Sequence, residues 1–283
     1  MRSLVRAQLL LLMRWGIGPA CVIAYAVCMA LTVAVFLWNP GSFASSLREA
    51  GAISEGAAWL VAEGAATGTV SITWTQAIGA TLIANAGMPW FTCLAIASAA
   101  AQDFETGAVR TVLASSGMRS LYVPARLVVS LPLAAVLFAL AALAAPLICT
   151  GCGIAVVGVS AAEALAWFAQ LMLVLLAYLA LVLLVVVTSK GTVASVAIAL
   201  LLTLGILESA LTSLLYFLGS AGFASQLTLG AARAMDTGSL SAIMDVLAGG
   251  HTAGPVGFVV PAIVLVVGAG VATLVMRRCE LGR

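Results

Sequence analysis

The sequence predicts an all-α integral membrane protein with six transmembrane helices, and three observations carry that prediction. Of 283 residues, 64% are hydrophobic and 8% are charged. The mean hydropathy is +1.21, and the apolar residues gather in runs long enough to span a bilayer. A soluble domain is about 45–50% apolar and about 25% charged. Twelve basic and ten acidic side chains cannot cover a water-soluble body of this size, so a soluble enzyme is excluded. A net charge of +2 with Lys190 as the single lysine lacks the dense basic footprint of a nucleic-acid binder. No G-X-Y repeat is present, and six scattered cysteines do not make a disulfide framework. No Pro- or Ser-rich linker and no internal repeat divides the chain, so residues 1–283 read as one membrane domain.

A bilayer core about 30 Å thick needs roughly 20 apolar residues of helix. Six stretches qualify: Gly16–Trp38, Ala77–Ala101, Leu127–Cys149, Ala164–Thr188, Thr192–Leu218 and Val256–Met276. Their Leu/Ala/Val/Ile content is continuous, which argues for helices and against the alternating pattern of a barrel. Arg2, Arg6 and Arg14 precede the first run, but that run has spanning length and ends at the turn-like Asn39-Pro40-Gly41. The expectation is a retained span and not a cleaved signal peptide. The stretch Arg2–Trp15 carries Leu4, Val5, Leu11 and Leu12 at helical spacing beside those arginines. It reads as an interfacial helix whose arginines reach phosphates and whose Trp15 sits in the aromatic belt.

Charge counting orients the spans. With the N-terminus inside, Arg2, Arg6, Arg14, Arg110, Arg119, Arg126, Lys190, Arg277, Arg278 and Arg283 are cytoplasmic, and only Arg48 and Arg233 lie outside. Basic residues near span ends resist translocation, so both termini are expected in the cytoplasm of a multi-pass cell-membrane protein. The substantial cytoplasmic connection is then Gln102–Arg126. Two longer connections, after the first span and around Gly219–Pro255, lie outside.

The cytoplasmic connection reads as a short helix. Asp103 is a good N-cap, and Glu105 places a second negative charge in the first turn. Phe104, Ala108, Val109, Val112 and Leu113 form an apolar stripe, with Thr106, Arg110 and Ser115 off it. Gly117 suits a left-handed stop. Such a helix either docks into a partner or lies on the membrane surface as a plain connection. Arg119 and Arg126 flank the start of the third span.

Glu208 is the one charged residue well inside an apolar run, a functional candidate by position. It has a second reading. From Ser189 to Glu208 the helix rises roughly 28 Å at 1.5 Å per residue, already one crossing. Glu208 then marks the outer end of the fifth span, with Leu211–Leu218 and Gln226–Met235 as short helices dipping back. Asn85, with Pro89, permits a kink and one interhelical hydrogen bond, either in packing or along a substrate path. Cys149 and Cys152 at an outer span end are either bridged or two buried thiols. His251 is the only histidine, so no metal site is expected. No Ser-His-Asp, HExxH or paired-carboxylate constellation appears, so no catalytic chemistry is expected of the chain.

The string Asp103-Phe104-Glu105-Thr106-Gly107-Ala108-Val109-Arg110-Thr111-Val112-Leu113-Ala114-Ser115-Ser116-Gly117-Met118-Arg119 resembles the coupling segment of ABC-2 type transporter permeases. Asp103, Phe104, Gly107, Val109, Arg110, Leu113, Gly117 and Arg119 match the family's pattern. Ala108, Met118 and Arg126 depart from the usual Thr, Ser and Lys. The resemblance implies a permease subunit of an ATP-driven exporter, with Asp103–Ser116 seated in a groove of a separate ATPase and Arg2–Trp15 as a second contact. It implies two ATPase copies, a second permease copy or a related permease, and re-entrant pieces between the fifth and sixth spans. ATP and Mg belong to the partner, since no P-loop occurs here, and this chain is expected to bind no cofactor. Short family members often confer resistance to antibiotics or antimicrobial peptides, so the implied substrate is an amphipathic or hydrophobic molecule. The alternative is an ion- or proton-coupled secondary transporter using Glu208, which calls for midplane charges and inverted repeats. A membrane scaffold or an enzyme of lipid metabolism is the third class.

Overall fold

The computed structural model describes residues 2–14, 16–49, 51–64, 70–81, 87–109, 119–220 and 225–278. In chain order the elements are α1 (Arg2–Arg14), α2 (Ile17–Trp38), α3 (Pro40–Glu49), α4 (Glu55–Ala62), β1 (Ser71–Thr73), α5 (Trp74–Gly79) and α6 (Met88–Glu105). They continue with α7 (Tyr122–Gly151), β2 (Ala155–Val157), α8 (Ala161–Ser189), α9 (Thr192–Thr203) and α10 (Ile206–Ser220). The last are α11 (Ser225–Gly238), α12 (Leu240–Ala248) and α13 (Val256–Arg278). Four helices, α2, α7, α8 and α13, are long and apolar enough to cross a membrane, and α9 with α10 makes a fifth if the bent pair counts as one span. The chain is a helical membrane protein.

Local chemistry explains where these helices start and stop. Ser160 caps α8 in a reciprocal capping box with Glu163, so α8 begins three residues before the apolar run predicted at Ala164. Its far end is closed by Lys190 in the left-handed region, φ 56°. The predicted span Ala77–Ala101 is not one helix. α5 ends at Gly79, Gly87 turns left-handed (φ +58°), and α6 starts afresh with Pro89 in its first turn, where a missing N–H costs nothing. The predicted span Thr192–Leu218 also breaks. Gly205 (φ +67°) separates α9 from α10 and the axes bend by 65°.

A second departure from the all-α expectation is a two-stranded parallel sheet, with Ser71 opposite Ala155 and Thr73 opposite Val157. It pins the connection after α4 to the α7–α8 connection. Cys149 and Cys152 are buried and unbridged, and the Cys152 thiol donates to the Phe36 carbonyl at 3.7 Å.

α8 is the central rod, packed on α13, α9, α6, α12 and α7, while α2 and α13 keep most of their surface exposed. Side-chain deletion brings α8 and α13 together: a Cβ on Gly268 would lie 3.3 Å from Ala180, and one on Gly257 2.8 Å from Gln170. These pairs run in step, so α8 and α13 are parallel. The contacts therefore give the bundle two ends. One holds the end of α6, the start of α7, the end of α8 and the start of α9. The other holds the end of α7, the start of α8, α5 and α12. α1 buries Leu4, Gln8 and Leu12 at four-residue spacing with α7 as its main neighbour, and leaves Leu9, Leu10 and Met13 exposed.

Candidate functional site

The residues singled out between the second and third predicted spans do gather, but in a different arrangement. Asp103 does not cap a new helix. α6 runs on to Glu105, and Asp103 sits buried in its last turns because it has a charged partner on α7. Arg126, fully buried, forms an ion pair with Asp103 Oδ2 through Nη2, which also donates to the Ala99 carbonyl at 3.4 Å. The Tyr122 hydroxyl donates to the same Oδ2 at 2.8 Å, and the Arg126 guanidinium lies 5.7 Å from the Tyr122 ring centroid. Phe104 closes the cluster edge-to-face on Tyr122, centroids 6.1 Å apart. Tyr122 and Arg126 are one helical turn apart on α7, so both reach one carboxylate. Among the described residues, Asp103 Oδ1 and Arg126 Nε and Nη1 have no hydrogen-bond partner. This buried polar cluster is thus only partly satisfied, a costly condition in a low-dielectric interior.

Glu105, two residues on, points the other way. Its carboxylate accepts from the Thr192 N–H at 3.0 Å and from the Thr192 hydroxyl. These bonds hold its carboxyl below the usual range. They also place a negative charge on the first turn of α9, where the helix dipole favours it. Both acidic residues at the end of α6 are therefore interhelical ties, Asp103 to α7 and Glu105 to α9.

After Glu105 the backbone turns at Gly107 (φ +71°), whose N–H donates to the Phe104 carbonyl at 3.2 Å. Val109 is buried beyond it and Arg119 lies just ahead of α7. Arg110 and Leu113, and with them most of the helix predicted at Asp103–Ser116, lie outside the described residues, as do Trp15 and Asn85. Arg6 and Arg14 of the N-terminal helix are exposed, and Arg2 begins α1.

Glu208 lies close to the break in the fifth predicted span. It sits in the first turn of α10, past the break at Gly205, and accepts from the Ser241 N–H at 2.9 Å and its hydroxyl at 2.5 Å. It thus serves the start of α12, which Ser239 also caps. Tyr216 on α10 donates to Asp236 on α11 at 2.5 Å. An open cavity of about 350 Å³ lies among Glu208, Thr212, Tyr216, Asp236, Ser239 and Asp245. A second of about 280 Å³ runs from Glu208 along Leu181, Leu240, Val260 and Val264. Burial first, and the Glu208 charge second, raise the Asp245 carboxyl above its ordinary value. Among the described residues no group of three or more His, Cys, Asp or Glu is placed to hold a metal ion.

Sequence reasoning missed Tyr122, Thr192 and Ser241. The local signal existed for Tyr122, one turn before a charged residue in an apolar helix. For Thr192 and Ser241 it did not, because their partners lie 87 and 33 residues away. No protein-family model matches this chain, and comparison with curated proteins and with solved structures returns no match either.

Proposed function

We propose that this chain is the permease subunit of an ATP-driven exporter of the ABC-2 type. It crosses the cell membrane six times with both termini in the cytoplasm and moves an amphipathic or hydrophobic molecule outward, such as a drug, an antimicrobial peptide or a lipid-like compound. It pairs with a second permease and with two copies of an ATPase subunit that holds ATP and Mg. The observation that carries this reading is where α6 ends and α7 begins. The residues that resemble the family's coupling segment join α6 to α7 at the bundle end where α1 also packs. On this reading α6 and the bent α9–α10 pair are crossings beside the four long apolar helices. The helices α11 and α12 then supply the re-entrant part, with Glu208 and its two cavities on the exit side.

The mechanism needs two states of the spans. To move the population from 1:99 to 99:1, nucleotide must favour one state by about 5.5 kcal/mol. The Asp103–Arg126–Tyr122 cluster gives the docked segment a firm hold on α6 and α7, so displacement there moves both helices together.

The test is co-expression with the neighbouring open reading frames and purification in mild detergent. An ATP-hydrolysing subunit is expected to come with the chain, and Arg110→Glu with Leu113→Asp is expected to release it. A folded chain that brings no ATPase would sink the exporter reading and turn attention to Glu208.

A further inference from the structure

We propose that α9 is a swinging segment and that Glu105 is the catch that holds it. This rests on the permease reading for what pulls the catch, but the catch itself is read from geometry. α9 is a rod of 12 residues with a break at each end. Before it, Lys190 is the only non-glycine with positive φ among the described residues, and Gly191 follows as the N-cap. After it, Gly205 stands at φ +67° and the chain turns by 65°. α9 fully buries only Ser195 and Ala199, small side chains that seat a helix without interlocking it, whereas α7 has a buried face that runs from Tyr122 to Cys149 and includes Leu133, Leu137 and Ile148. Large interdigitated side chains resist sliding, and of the large apolar residues of α9 only Leu202, beside the Gly205 break, packs partly buried against the core.

The two carboxylates at the end of α6 divide accordingly. Asp103 holds α7 through a pair whose side chains are 4% and 0% exposed. Separating it leaves an uncompensated buried charge on each helix. Glu105 holds α9 through an exposed contact with Thr192, and water replaces both bonds when it opens. Of the two interfaces that these carboxylates tie, the one with α9 is therefore the one that opens. Its far end carries Gly205 and then Glu208, which holds the start of α12 through Ser241. Release at Thr192 lets α9 rotate about Gly205 and frees α10 and α12 to shift at the Glu208 cavities. Glu105 is a positioning residue: it acts on that site through α9 and touches nothing in it.

The experiment is amide hydrogen exchange of the full chain in lipid nanodiscs, comparing wild type with Glu105→Ala and Glu105→Gln. In Glu105→Ala, exchange is expected to rise about tenfold both over Thr192–Ser195 and over Gly205–Ser209, while Tyr122–Val129 stays unchanged. Glu105→Gln, whose amide oxygen accepts the same Thr192 N–H, is expected to restore most of the protection. A rise confined to Thr192–Ser195 is simple fraying and overturns the proposal, as does a rise spread into Tyr122–Val129. Lack of an ATPase partner defeats the function proposed above but leaves this comparison readable.

Discussion

The two ends of the helix bundle are fastened by different chemistry. At one end α6, α7 and α9 meet through charge: Asp103 with Arg126 and Tyr122, Glu105 with Thr192. At the other, α5, α8, α12 and the start of α13 meet through backbone. Trp167 Nε1 donates to the Leu247 carbonyl at 2.9 Å, and Gln170 bonds the Gly254 carbonyl and the Ala253 N–H at 2.9 and 3.0 Å. A Cβ on Gly79 would fall 2.5 Å from the Ala248 carbonyl oxygen, and one on Gly250 2.4 Å from the Gln76 nitrogen. A junction of bare backbones has one way to fit. The Glu105–Thr192 contact at the charged end is exposed, and water can replace its bonds, so that is the end suited to a change of state.

The sharpest way to break the comparison is at Arg126. Arg126→Met strands the buried Asp103 carboxylate, and the expected loss is about 3–5 kcal/mol, against near neutrality for Arg126→Met with Asp103→Leu. Unfolding of both variants in the same detergent checks it. Equal losses would mean that the pair's charges do not face each other.

At the backbone end, Gly250→Ala meets both a clash and a left-handed φ of +75°. The conformation alone costs about 1–3 kcal/mol, and no second-site change restores it, because the obstacle is the Gln76 main chain. Double-variant rescue at one end and none at the other is the expected contrast in the same unfolding assay.

The smallest effect concerns Asp245. Its carboxyl is raised, so the folded state disfavours the charged form. That penalty is absent below the ordinary carboxylate pKa and complete once pH passes the raised folded value. Asp245→Asn is therefore expected to stabilise the chain modestly at neutral pH and not at all in acid. Thermal unfolding of both proteins across pH 3–8 in about one-unit steps tests the sign. A gain that does not fade on acidification would point to packing instead of charge.

Much of the fold was legible beforehand because hydropathy is a local quantity. The apolar runs behind α2, α7, α8 and α13 stand in the sequence, and each formed close to its expected limits. The two runs that broke did so at Gly87 and Gly205, and a glycine in an apolar run does not say whether it continues the helix or turns it. The candidate site was legible in its membership and not in its wiring. Asp103 and Glu105 carried the right signal, acidic residues at a helix boundary. Their reading as a cap and a first-turn charge of a new helix failed because Arg126 and Thr192 were already in reach. A buried carboxylate is held by the nearest cation in space, 23 residues away in the chain.

The sequence by itself determined that this is a helical membrane protein. It also determined where the long helices lie and which connection concentrates charge, because each follows from composition over windows of some 20 residues. The tertiary structure decided which carboxylate is buried and which is exposed, that Glu208 serves a neighbouring helix, and that glycines at 79 and 250 let backbones touch while Gly257 makes room for the Gln170 side chain. Those facts depend on which elements become neighbours, and neighbours separated by dozens of residues leave no periodic trace in the chain.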